Sequence, residues 1–132
     1  WPSHSQHNAA LSWFVRNRSR RWATCPLTQA GFVRIVSNPA FSRDAVTPRE
    51  AFAVLEVNLK SPDHEFWPDD IPYPAATASL SARVLGHQQV TDVYLRALAI
   101  RHGGVLATFD SSIATLLEPA SPSLRSLEVL PA

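Results

Sequence analysis

Hydrophobic positions along the chain follow two rhythms. Some recur at helical spacing, and others form short unbroken runs. Asn8 to Arg16 carries Leu11, Phe14 and Val15 on one helical face. Trp22 to Pro26 is a short extended run leading into Leu27, and Phe32, Val33, Ile35 and Val36 suit a partly buried helix over Thr28 to Val36. Ser37-Asn38-Pro39 ends that helix. The next start is written in full: Thr47 as cap, Pro48 at the first helical position, and Glu50 completing a capping box, with Phe52, Leu55 and Leu59 at helical spacing behind them. His64 to Trp67 reads as a short strand, and Pro68 to Pro74 as a turn-rich loop, because proline removes ladder donors and restricts the backbone. Ala76 to Leu85 is a predicted helix ended by Gly86. Gln89 to Arg101 follows as a helix with apolar surface at Val93, Ala97, Leu98 and Ile100, and Gly103-Gly104 breaks it. Val105 to Phe109 is nearly continuous apolar sequence, the pattern of a strand covered on both faces in a parallel sheet. Ser111 to Leu117 reads as a short helix and Leu127 to Leu130 as a last strand. Strands alternating with helices predict an α/β domain with a parallel sheet.

Composition narrows the picture. A length of 132 residues suits one domain, residues 1–132, able to bury its own core. With 45% hydrophobic and 17% charged residues the chain reads as globular, not disordered. The formal net charge of +1 does not by itself announce a nucleic-acid binder. Lys60 is the only lysine, and Arg16, Arg18, Arg20 and Arg21 crowd one short stretch. Arginine favours planar contacts to phosphate or carboxylate, but the plainer reading of this stretch is a solvated helix end. Cys25 is alone, which excludes an internal disulfide framework and a cysteine zinc site and fits a reducing cytoplasm. No apolar run approaches the roughly 18 residues a membrane span needs, and there is no signal-peptide pattern.

Candidate chemistry gathers around two aspartates. Asp110 directly follows the apolar run Val105 to Phe109, and in open parallel sheets ligands bind beyond the carboxyl ends of strands. Read plainly, it caps the helix begun by Ser111 and Ser112. Asp92 stands in the first turn of the Gln89 to Arg101 helix, where the helix dipole favours a carboxylate whatever its role. Taken together they say more. The Gly103-Gly104 break turns the chain back along the helix and brings Asp110 towards Asp92, where two carboxylates repel unless a cation such as Mg²⁺ or Mn²⁺ neutralises them. Asp69-Asp70 lies between prolines and reads as solvated surface. His4 and His7 have helical metal-binding spacing but no third ligand. A phosphate-binding glycine loop and a Gly-x-Ser-x-Gly elbow are both absent from the sequence.

Three segments carry a family resemblance. Cys25-Pro26-Leu27-Thr28-Gln29-Ala30-Gly31-Phe32-Val33-Arg34 with Ser37-Asn38-Pro39 resembles the second-strand and helix region of PIN-domain proteins of the VapC toxin type. Val90-Thr91-Asp92-Val93-Tyr94-Leu95 with Ala97-Leu98-Ala99 resembles their central acidic helix, and His102 to Asp110 the strand after it. The resemblance spans nearly the whole chain. It implies a three-layer α/β fold with a central parallel sheet flanked by helices. It also implies hydrolysis of RNA phosphodiesters with Mg²⁺ or Mn²⁺, a cognate antitoxin, and a homodimer. Asp92 and Asp110 match two acidic metal-binding positions of the family. Gln29 falls where many members carry glutamate, so it can accept a hydrogen bond there but brings no charge. Thr91, Thr108 and Ser111 are polar neighbours of that site. The family pattern begins with a central, aspartate-bearing strand that nothing here matches, Trp1 resembling the residue just after it. The expectation is a sheet without that strand and a metal with fewer anionic ligands.

The expected activity is a metal-dependent endoribonuclease, with Asp92, Asp110 and Gln29 at the site. Two alternatives remain. One is a degenerate or shortened PIN protein that binds RNA or antitoxin without cutting. The other is a phosphoacceptor receiver domain, which needs a lysine beside its aspartate, whereas Lys60 ends a predicted surface helix.

Overall fold

A computed structural model of the chain describes residues 7–17, 20–41, 43–78, 86–108 and 127–130. The chain divides into two compact units, Trp1–Asp69 and Asp70–Ala132.

In the first unit, α1 (His7–Asn17) follows the helical spacing predicted for Asn8 to Arg16. It stops where Asn17 turns back on itself. The Asn17 side chain donates to the Trp13 carbonyl at 2.8 Å, and the Asn17 carbonyl accepts from the Arg20 N–H at 2.9 Å. Leu11, Phe14 and Val15 form the expected apolar face, yet they remain 49%, 44% and 52% exposed. Phe14 sets its edge against Trp22 at 6.4 Å between ring centres.

β1 (Trp22–Thr24) leads into α2 (Pro26–Val36). The helix opens two residues earlier than the predicted Thr28. Pro26 is preorganised for the first helical turn, and the Thr28 hydroxyl accepts the N–H of Cys25, the cap residue, at 2.9 Å. α3 (Pro48–Leu59) begins as its capping box dictates. The Glu50 N–H donates to Thr47 Oγ1 at 3.2 Å, and the Thr47 N–H donates to Glu50 Oε2 at 2.8 Å. α2 and α3 pack together, and Val36 and Ala51 are buried. β2 (His64–Phe66) then lies parallel to β1, with Trp22 opposite His64 and Thr24 opposite Phe66. Parallel neighbours need such a helical crossover, because a tight hairpin returns the chain antiparallel.

In the second unit, α4 (Tyr73–Thr77) starts inside the stretch predicted as loop, since Pro74 falls at its first turn. Of the helix predicted over Ala76 to Leu85, residues 79–85 lie outside the described residues. A 3₁₀ turn (His87–Gln89) introduces α5 (Val90–Arg101). Val93, Tyr94, Leu98 and Ala99 form its buried face, and Tyr73 stacks on Tyr94 with rings 8° from parallel and 6.1 Å apart. The Tyr73 hydroxyl donates to the Val90 carbonyl at 2.9 Å. Ile100, expected on the apolar face, is 45% exposed. α5 ends at Gly103, whose φ of 67° is left-handed, and the Gly104 N–H donates to the Ala99 carbonyl at 2.7 Å. This left-handed exit is the reason for glycine there.

β3 (Leu106–Thr108) and β4 (Leu127–Val129) pair in parallel. β3 begins one residue after the predicted Val105 and is only half-buried along its described length, and Phe109 lies outside the described residues. The predicted helix from Ser111 to Leu117 lies outside the described residues. Both strand pairs are parallel, with α2 and α3 between β1 and β2 and α5 leading into β3, as expected of an α/β fold.

Candidate functional site

Asp92 is half-buried in the first turn of α5. The first N–H groups of a helix have no intrahelical acceptor, and their dipoles favour a carboxylate there. Thr91 beside it is exposed. α5 packs against β3, whose last residue, Thr108, is half-buried at the carboxyl end of the strand. The second unit therefore offers a carboxylate and two hydroxyls. Asp110 and Ser111 lie outside the described residues, as does the predicted approach of Asp110 to Asp92.

Gln29 belongs to the first unit, in the opening turns of α2. It is half-buried, and its Nε2 donates to Thr24 Oγ1 at 3.0 Å. The same hydroxyl lies 2.7 Å from His64 Nε2. The sequence places His64 only at the start of a short strand and does not reveal this connection. A partial signal is the parallel register: Trp22, Thr24, His64 and Phe66 share one face of the β1–β2 pair.

Other candidates behave as the plainer readings expected. Asp69 is exposed, and Asp70 forms a surface ion pair with Arg101 at 3.1 Å, with both side chains about half exposed. Arg16, Arg20 and Arg21 are exposed around the end of α1, and Arg20 donates to Asn17 Oδ1 at 3.1 Å. His4 and Arg18 lie outside the described residues. Lys60 caps the end of α3 and is exposed, which gives the receiver-domain alternative no support. Among the described residues, no three or more His, Cys, Asp or Glu side chains gather to hold a metal.

Arg96 is an unforeseen feature of the same helix. It is 2% exposed, its Nε has no hydrogen-bond partner, and burial pushes its pKa down.

Within the second unit the side-chain donors at the candidate positions are all oxygens: the Asp92 carboxylate and the Thr91 and Thr108 hydroxyls. Oxygen-only donors suit a hard divalent cation such as Mg²⁺ or Mn²⁺. The softer Cys25 is buried at the start of α2.

An α/β chain with parallel strand pairs and an aspartate opening a helix beside a strand end has a match among known families. The family model described as the PIN domain matches residues 3–116, and the chain belongs to that family. Its relatives place it on the VapC branch. Ribonuclease VapC39 of Mycobacterium tuberculosis (strain ATCC 25618 / H37Rv) is 45% identical over 114 residues, 86% of this chain and 82% of the relative. Ribonuclease VapC38 of the same strain is 39% identical over 124 residues, 92% and 86% of the two chains. Ribonuclease VapC44 is 35% identical over 118 residues, 89% and 82%.

Proposed function

We propose that this chain is the ribonuclease toxin of a toxin–antitoxin pair, hydrolysing RNA phosphodiesters with Mg²⁺ or Mn²⁺ held at Asp92 and Asp110. The observation that carries this reading is the half-buried Asp92 opening α5, in a chain that matches the PIN domain across residues 3–116. Hydrolysis adds water oxygen to phosphorus and breaks one ester P–O bond, and the leaving oxygen takes up a proton. When bound, the divalent ion supplies Lewis-acid polarisation of the phosphate and a more acidic water. The chain's own residues do the rest. Asp92 and Asp110 bring the negative charge that holds the cation. Thr91, Thr108 and Ser111 offer hydroxyls to phosphate oxygens or water, and the Gln29 carbonyl offers an acceptor without charge. The family resemblance of the sequence implies a cognate antitoxin as the protein partner, and a second copy of the chain is the proposed oligomeric partner.

Gln29 favours a second reading, a PIN protein that binds RNA or antitoxin without cutting, because a carboxamide contributes no charge to a cation site. RNA cleavage by the full chain with Mg²⁺ or Mn²⁺ separates the two. The expected result is cleavage that EDTA stops and Asp92→Asn abolishes while the variant stays folded. Wild-type cleavage by Asp92→Asn removes Asp92 from the mechanism. A folded wild-type chain that never cuts supports the second reading.

A further inference from the structure

Basic and acidic residues are segregated along this chain. Residues 1–43 hold six arginines and no aspartate or glutamate, whereas residues 44–132 hold six lysines and arginines against eleven aspartates and glutamates. The formal net charge of +1 therefore conceals a segment of +6 followed by one of −5.

Three arginines of the positive segment gather at one turn. Arg16 stands in the last turn of α1, and Arg20 and Arg21 follow before β1 opens at Trp22. All three are exposed, and among the described residues none of them meets a carboxylate. Arg20 donates to Asn17 Oδ1, a neutral acceptor. A cation in the last turn complements the dipole of its helix, which accounts for Arg16. Arg20 and Arg21 lie beyond that turn and have no such role. Arg101 makes the contrast, because its guanidinium is already paired with Asp70 at 3.1 Å. Aromatic surface adjoins the cations: Phe14, 44% exposed, sets its edge against Trp22, the residue after Arg21.

We propose that the turn from α1 to β1 is a contact surface for the backbone of single-stranded RNA, with Arg16, Arg20 and Arg21 taking its phosphates. The proposal rests on the ribonuclease reading and deepens it by naming residues that hold the substrate. The net negative charge of residues 44–132 repels a polyanion, so long-range attraction has to come from the positive segment. Arginine presents a planar fork that matches phosphate oxygens. The exposed aromatic edge beside the arginines favours RNA over an acidic polypeptide, because every base has a face that stacks on an aromatic ring.

Anisotropy of a short fluorescein-labelled single-stranded RNA tests the surface on the full chain in EDTA, where metal-dependent cleavage is off. Each phosphate neutralised on a single strand adds about 0.7 to the slope of log affinity against log salt. The triple variant Arg16→Gln, Arg20→Gln, Arg21→Gln is expected to lower that slope by about 2 and to weaken binding about 10- to 100-fold at about 0.1 M salt. Lysine at the same three positions keeps the charge and is expected to keep the slope, which separates lost phosphate contacts from a lost fold. Arg101→Gln is expected to bind as the wild type does. With Mg²⁺ present, the glutamine variant is expected to raise KM and keep kcat, as loss of uniform binding does. A wild-type slope in the glutamine variant overturns the proposal, and so does a lost slope in the lysine variant. Binding of poly-L-glutamate in place of RNA, lost in the glutamine variant, assigns the surface to an acidic protein and overturns it as well. Metal-dependent cleavage by the glutamine variant with wild-type KM removes the surface and leaves the nuclease reading intact. A wild-type chain that binds RNA through the three arginines but never cuts leaves the surface standing and removes the nuclease reading.

Discussion

Arg96 is the residue whose surroundings least match its chemistry. A guanidinium keeps its charge at neutral pH, and taking that charge out of water is costly unless partners repay it. Here the side chain is 2% exposed and its Nε lacks a hydrogen-bond partner. Arg96→Met keeps the length of the stem and removes the charge. It is expected to stabilise the chain by about 1–4 kcal/mol, the range seen when buried ionic groups give way to apolar ones, measured by urea unfolding. An unchanged or lower unfolding midpoint would show that the guanidinium is compensated. The pH dependence has a definite sign. The folded pKa lies below the unfolded one, so the penalty is fully present at neutral pH and is relieved only as pH rises through the folded value.

At the scale of elements, helix starts are decided locally. Thr47, Pro48 and Glu50 reproduce the capping box in both directions, and neither Thr47 nor Glu50 is buried. The start of α3 should therefore answer to the cap alone. Thr47→Ala is expected to cost about 0.5–2 kcal/mol, read from thermal unfolding, with the Trp fluorescence of the native state unchanged. Core positions follow a different rule. Leu98 is 1% exposed and Val57 is 69% exposed, although both are apolar residues on helices. Leu98→Ala is expected to cost about 2–5 kcal/mol, transfer and cavity together. Val57→Ala should stay within about 0.5 kcal/mol, as surface substitutions do. Equal effects of the two in denaturant unfolding would mean that Val57 is covered in solution.

At the scale of the whole molecule, each unit carries buried apolar residues of its own. Among the described residues they are Cys25, Val36 and Ala51 in the first, and Ala76, Val93, Tyr94, Leu98, Ala99 and Leu130 in the second. Folding driven by such burial does not need a metal, unlike small domains that fold around one. Metal removal is thus expected to separate activity from structure. EDTA should stop RNA cleavage and leave the far-ultraviolet circular dichroism and the unfolding midpoint nearly unchanged. A collapse of the fold in EDTA would assign the metal a structural role instead. Among the described residues, no helix is long and apolar enough to cross a membrane.

Much of this protein is decided within a few neighbouring residues, and that part was legible in the sequence. Proline and the Thr47–Glu50 box start helices, Gly103 ends one, and the alternation of elements specifies parallel strands, because caps and turns act over one helical turn. The segment around Asp92 placed it in the first turn of a helix, and Asp92 does open α5. What the sequence could not supply depends on which surfaces meet. Periodicity places Ile100 and Phe52 on apolar faces, yet they are 45% and 55% exposed, while Arg96 is buried. A helical face shows which residues point together, not how far the neighbouring element covers them. The contact between Thr24 and His64 joins residues 40 positions apart, and it exists because β2 returns parallel to β1 in one register. A slip of one residue would turn His64 to the opposite face.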